Sequence, residues 1–102
     1  MIHVVAIITA KPGQRETILE HFRANVPAVH AEDGCIEYGP AIDAEGVGAL
    51  QTPFGPDSFV VLEKWESLDH LKAHGASAHM KAYAAKTKEL TASRVIHVLT
   101  PA

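Results

Sequence analysis

Apolar positions divide the chain into segments of two periods. Residues 2–9, Ile-His-Val-Val-Ala-Ile-Ile-Thr, are dense in β-branched side chains and predict a strand. Lys11-Pro12-Gly13 breaks it. From Gln14 onward, Ile18, Phe22, Val26 and Val29 recur at spacings of three and four, the stripe of an amphipathic helix. Pro27 lies inside the stripe and is expected to kink or shorten the helix, because its ring removes a backbone donor. Asp33-Gly34 ends the segment, with Gly34 free to take a left-handed cap. Cys35-Ile36-Glu37-Tyr38 starts a second strand. Residues 39–58 form a 20-residue loop with four Gly and three Pro, a length that is uncommon in a compact domain; it has room for a short strand near Ala49–Thr52. Residues 59–65, Phe-Val-Val-Leu-Glu-Lys-Trp, are the clearest strand. Ser67 is placed to cap a helix that begins with Leu68 and Leu71, and Gly75 interrupts it. Ser77 is placed to cap a further helix bearing Met80, Tyr83, Ala84 and Thr87. Ser93 to Thr100 is the last strand.

The order is β-α-β-β-α-β with the second helix broken in two. It predicts one α+β domain over residues 1–102, a ferredoxin-like sandwich. A sheet covered by helices on one face should alternate apolar and polar residues. Here Ile2, Val4, Ala6 and Ile8 share one face of the first strand while Val5 and Ile7 share the other. Phe59, Val61 and Trp65 likewise oppose Val60 and Leu62, and Val95 and Leu99 oppose Ile96 and Val98. Helices can cover one face only, and large exposed apolar patches are rare on monomers. A homodimer with facing sheets is therefore expected, with an apolar cavity beside or between them.

Composition narrows the class. With 47% apolar and 21% charged residues, the chain has the balance of a globular protein. No apolar run approaches the roughly 18 residues of a membrane helix, and Met1-Ile2-His3-Val4-Val5 has no signal-peptide pattern, so a cytoplasmic protein is expected. The net charge of −3 argues against a nucleic-acid partner. Charge is unevenly spread: residues 32–69 hold nine acids and one base, whereas residues 72–94 hold five bases and one acid. The single cysteine, Cys35, permits no internal disulfide and no Cys-based zinc site within one chain. It reads as a small buried residue.

Seven histidines supply the candidate chemistry, since histidine alone has an unperturbed pKa near neutrality. His21 and His30 read as surface residues, and His3 and His97 as residues of neighbouring strands. His70 and His74 share a helical face at a spacing that can bind metal, but the pattern places no third ligand, and no metal site is expected. His74 and His79 flank the helix break at 75–78, with Tyr83 one turn further on. Glu63 and Trp65 share a strand face. No phosphate-binding glycine loop or nucleophile elbow is present. Taken alone, these residues define a small dimeric domain with an apolar pocket, and not a reaction.

The run Glu63-Lys64-Trp65-Glu66-Ser67-Leu68-Asp69-His70-Leu71-Lys72-Ala73-His74, followed by Ser77-Ala78-His79, resembles the Glu-x-Trp, His and Ser-x-His signature of the antibiotic biosynthesis monooxygenase (ABM) domain. Glu32-Asp33-Gly34-Cys35-Ile36-Glu37-Tyr38 resembles the Glu-x-Gly-Cys-x-x-Tyr turn and strand of the same family. The resemblance implies a dimeric α+β barrel. It also implies a monooxygenase that oxidises an electron-rich phenol, quinol or anthrone with O₂ as co-substrate and no flavin, haem or metal. By the same resemblance His74 is the base or proton relay, Trp65 walls the pocket, Tyr83 bonds a substrate oxygen, and His79 and Glu63 orient their neighbours. Haem-degrading relatives carry an Asn in the first strand, a Trp in the second helix and a haem-ligating His further along. Ile7, Ala73 or His74, and Tyr83 stand at about those positions here, which disfavours haem. Two alternatives share the fold: a small-molecule isomerase using His, Glu and Tyr, and a ligand-binding dimer without chemistry.

Overall fold

The computed structural model describes residues 1–102. Strand β1 (Ile2–Ala10) leads through the Lys11–Gly13 turn into helix α1 (Arg15–His30), followed by β2 (Cys35–Ala41), β3 (Ser58–Trp65), α2 (Leu68–Gly75), α3 (Ala78–Thr87) and β4 (Thr91–Leu99). The four strands form one antiparallel sheet in the order β2-β3-β1-β4. This is the expected ferredoxin-like arrangement, with its second helix divided in two. Ser67 and Ser77 cap α2 and α3 as expected, accepting from the His70 and Met80 amides at 3.2 and 3.4 Å.

Register sets the two faces of the sheet. Val4, Ala6 and Ile8 pair with Glu63, Val61 and Phe59 on one side and with Val98, Ile96 and Arg94 on the other. This face carries the core: Val4, Ala6, Ile8, Phe59, Val61 and Trp65 are buried against Ile18, Leu19, Phe22 and Val29 of α1. Val5, Ile7, Leu62, Val95 and Leu99 occupy the opposite face. Helices cover the first face only in part, because every residue of β4 after Thr91 is exposed.

Three local expectations are corrected. Helix α1 runs through Pro27 to His30. The helix is not shortened there: Pro27 and Arg23, whose carbonyl loses its partner, are both exposed, so the orphaned group stays open to solvent. Residues 49–52 form no strand; β2 itself extends to Ala41, and Gly48–Leu50 make a single 3₁₀ turn. Gly48 has φ +75°, which interrupts extended backbone. The loop is organised by Asp43, whose carboxylate accepts from the Phe54 and Gly55 amides at 3.0 and 2.9 Å. These bonds hold the Asp43 carboxyl below its ordinary pKa. Cys35, expected to be buried, is half-buried at the start of β2. Burial, with Glu32 and Glu63 nearby, pushes its thiol pKa up.

Candidate active site

The break between α2 and α3 and the turn after α1 meet at the end of β3. Gly34 makes the meeting possible. Its φ is +80°, and a Cβ there would collide with the His70 ring. Its carbonyl accepts from the Glu66 amide at 2.9 Å. His70 closes over it, with Nδ1 2.7 Å from Ser67 Oγ and Nε2 3.4 Å from Asp33 Oδ2. This clamp brings Glu32, next to the turn, against the last turn of α2.

Glu32 Oε2 is 2.8 Å from His74 Nδ1 and 2.8 Å from His79 Nε2. An ionised carboxylate only accepts hydrogen bonds, so both imidazoles donate to it. That places the proton of neutral His74 on Nδ1 and leaves Nε2 unprotonated. Nε2 lies on the side of Glu63, 4.0 Å from Oε1. The same Glu63 oxygen accepts from the Trp65 indole at 2.9 Å. The His74 ring is held between two aromatic rings, with Trp65 at 4.7 Å and Tyr38 edge-on at 5.4 Å. Phe22 stacks on Tyr38 at 5.1 Å. Ser77 adds a further tie: its hydroxyl donates to the His74 carbonyl at 2.7 Å and lies 3.2 Å from His79 Nε2.

His74 and Glu63 open onto a cavity of about 800 Å³ between the sheet and helices α2 and α3, a volume suited to a small organic ligand. Val4, Ala6, Ile8, Val61, Leu71 and Met80 supply much of its apolar wall. Glu63 is the one carboxylate in the lining. Burial raises its pKa, against the opposing pull of the Trp65 hydrogen bond and His74. Tyr38 and Tyr83 also line the cavity. Burial pushes the Tyr83 hydroxyl up to about 12, with Arg94 acting the other way. Burial and then the Glu63 charge place Tyr38 well above the ordinary phenol value. Both therefore remain donors at neutral pH.

The structure distributes the five residues singled out from the sequence. Glu63, His74 and Tyr83 line the cavity, whereas Trp65 and His79 do not. Trp65, expected as a pocket wall, is fully buried; its ring fills the core behind Glu63 and His74, and its N–H is spent on Glu63. His79 reaches the site through Glu32. Glu32 and Tyr38 belong to the site although neither was singled out for a role; both lay within the Glu-x-Gly-Cys-x-x-Tyr resemblance. His70 and His74 share a helical spacing, but their rings turn to Ser67 and Asp33 and to Glu32 respectively. His30 is exposed, its Nε2 2.9 Å from the Tyr38 carbonyl, and His21 is half-buried.

The cluster with metal-ligand chemistry is instead Glu32, His74 and His79, whose donor atoms lie within 4.8 Å of one another. Two imidazoles and a carboxylate suit a divalent transition metal. Of the three, only His74 lines the cavity; Glu32 and His79 stand off its wall.

A buried acid, a histidine with one nitrogen tied to a carboxylate and a largely apolar cavity make a site for proton abstraction away from water. The fold is that of a small ferredoxin-like α+β domain with a cavity between its sheet and helices. The sequence profile of the antibiotic biosynthesis monooxygenase family matches residues 1–86, and the chain belongs to that family. It is 40% identical to "Probable quinol monooxygenase YgiN" of Escherichia coli, over 99% of this chain and 98% of that protein. Among solved structures it resembles PA3566 from Pseudomonas aeruginosa, with a TM-score of 0.82, 25% identity and coverage of 99% of this chain and 93% of that one. Rv0793 from Mycobacterium tuberculosis matches with a TM-score of 0.80, 26% identity and coverage of 99% and 94%. The chain is thus an ABM-type monooxygenase. No helix is long and apolar enough to cross a membrane.

Proposed function

We propose that the protein oxygenates an electron-rich quinol, phenol or anthrone with O₂, using no flavin, haem or metal. One observation carries the reading: His74 is tied through Nδ1 to Glu32 and turns Nε2 toward Glu63 at the wall of a largely apolar cavity. The name of the Escherichia coli relative supports the quinol class.

In this reading His74 Nε2 removes a proton from a substrate hydroxyl or acidic C–H, and Glu32 stabilises the imidazolium that results. Tyr83 and Tyr38 donate to the substrate oxygen on which negative charge develops. The substrate anion gives one electron to O₂, and the two radicals combine to form a peroxide at a ring carbon that carries hydrogen. Loss of water from that peroxide leaves a carbonyl. One oxygen atom stays in the product and the other leaves as water. A quinol thus becomes a hydroxyquinone and an anthrone becomes an anthraquinone, with the substrate as sole reductant. The low-polarity cavity keeps water from the anion and the peroxide.

The active unit in this proposal is a homodimer located in the cytoplasm. Leu62, Val95 and Leu99 on the helix-free face are 43–48% exposed, and Ile96 and Val98 on the other face of β4 are 50% and 47% exposed. A second copy packed sheet to sheet would cover the first set. The lone thiol of Cys35 suits a reducing compartment.

Oxygen consumption with a reduced naphthoquinol, measured beside an enzyme-free autoxidation control, tests the activity. Enzyme-dependent uptake that survives chelator treatment and is abolished in His74→Ala supports the proposal. Uptake equal to the control across a panel of quinols and anthrones would refute it.

A further inference from the structure

The polar groups of the cavity are sorted by charge. Glu63 and His74 are both buried. The other charged residues of the lining are all cations, and all are exposed: Lys81, Lys88 and Arg94. Lys81 and Lys88 are seven apart on the helical path that begins as α3, so they fall on one side of it. Ala84 and Ala85 lie between them and leave the rim open. Arg94 stands on β4, opposite Ile8 of β1. The rim thus has cations on its helical side and on its strand side.

None of the three cations is in an ion pair; the arginines and lysine that are paired are Arg15, Arg23 and Lys64. They are three of nine Lys and Arg in a chain of net charge −3, so the rim runs against the charge of the whole molecule. The basic stretch at residues 72–94 is the sequence trace of this rim. Unpaired cations around the mouth of an apolar cleft attract an anion and hold it at the entrance. The planar fork of Arg94 matches a carboxylate.

Resting on the quinol-type reading above, we propose that the substrate is an aromatic carboxylate. Its ring occupies the apolar cavity with the reacting position at His74, and its carboxylate lies between Arg94 and the lysines of the helical rim. The rim selects among aromatic rings that the apolar wall alone would accept equally.

Equilibrium binding by calorimetry under strictly anaerobic conditions tests this without turnover, because the proposed reaction needs O₂; the probes are 1-hydroxy-2-naphthoate and 1-naphthol. At low ionic strength the carboxylate is expected to bind at least tenfold more tightly than the naphthol. The ratio of affinities is expected to shrink with added salt and to fall toward one in Arg94→Gln/Lys88→Gln, with circular dichroism confirming the fold. Arg94→Lys/Lys88→Arg, which keeps the charge, retains most of the ratio. Equal binding of the two probes, or a ratio that survives loss of both charges, overturns the anion proposal and leaves the quinol reading standing. Failure of both probes to bind overturns the cavity as an aromatic site and the two proposals together.

Discussion

Glu32 Oε2 lies 2.8 Å from His74 Nδ1, across 42 residues of chain. One side chain comes from the turn after α1 and the other from the last turn of α2. Their bond fixes which nitrogen of His74 is free and where it points. His79 donates to the same carboxylate oxygen at 2.8 Å, so Glu32 gathers both flanks of the helix break.

If His74 is the base, His74→Ala is expected to lower kcat by about 10²–10⁴-fold, the usual worth of a positioned base. Glu32→Gln removes the orienting charge while keeping the size, and is expected to lower kcat by roughly 10–100-fold with KM little changed. Steady-state kinetics on both variants check this. Full activity in His74→Ala would rule out the base.

Glu63 couples stability to pH. Burial raises its carboxyl pKa in the folded state above the ordinary value of 4.5. The unfolded chain therefore loses its proton first as pH rises. Between the unfolded and folded pKa values the folded state binds more protons, so stability falls with rising pH across that window. Glu63→Gln abolishes this dependence and is expected to melt at a higher temperature than the parent at pH 7, the difference vanishing at pH values below the unfolded pKa. Thermal melts across that range test the sign. An equal or lower Tm for Glu63→Gln at pH 7 would contradict it.

Gly34 is expected to tolerate no side chain. Its φ of +80° and the His70 ring both oppose a Cβ. Gly34→Ala should cost about 1–3 kcal/mol from backbone strain, with the displaced ring adding to it. Adding His70→Ala removes the ring atoms but leaves its own Cβ at 2.8 Å, so it eases the collision without relieving the strain, and the double variant should recover only part of the loss. Denaturant unfolding of the single and double variants measures this coupling.

Much of the fold was legible in the sequence because it is local. Ser67 and Ser77 mark their helix starts, Gly75 and Ser77 mark the break, and the apolar residues of β1 on alternating faces announced a sheet with work on both sides. Glu63 and Trp65 fell on one face by simple alternation. The centre of the site was harder to read. Nothing near Glu32 says that it will meet His74, because that contact depends on Gly34 passing under His70. The place of Trp65 behind the cavity follows from how far the cavity extends along the sheet, which alternation does not report. Pro27 does not end α1, because the damage a proline does depends on whether water can reach the orphaned carbonyl.

The proposed sheet-to-sheet dimer makes its own demand. Leu62 is 43% exposed on the helix-free face. A charge placed there would be buried without a partner in the dimer and solvated in a monomer. Leu62→Glu is expected to yield monomers by light scattering at concentrations where the parent is dimeric, with its helical signal retained. A parent that is monomeric at tens of micromolar would remove the dimer from the account.

The central claim is that substrate alone reduces O₂ at His74. The most direct test is ¹⁸O₂ incorporation into a quinol or anthrone, read by mass spectrometry on chelator-treated protein beside an enzyme-free control. Cofactor-free oxygenation at His74 requires one ¹⁸O atom in the product above that control, the second in water, and loss of both signals in His74→Ala. Unlabelled product, label equal to the control, or label undiminished in His74→Ala would contradict it.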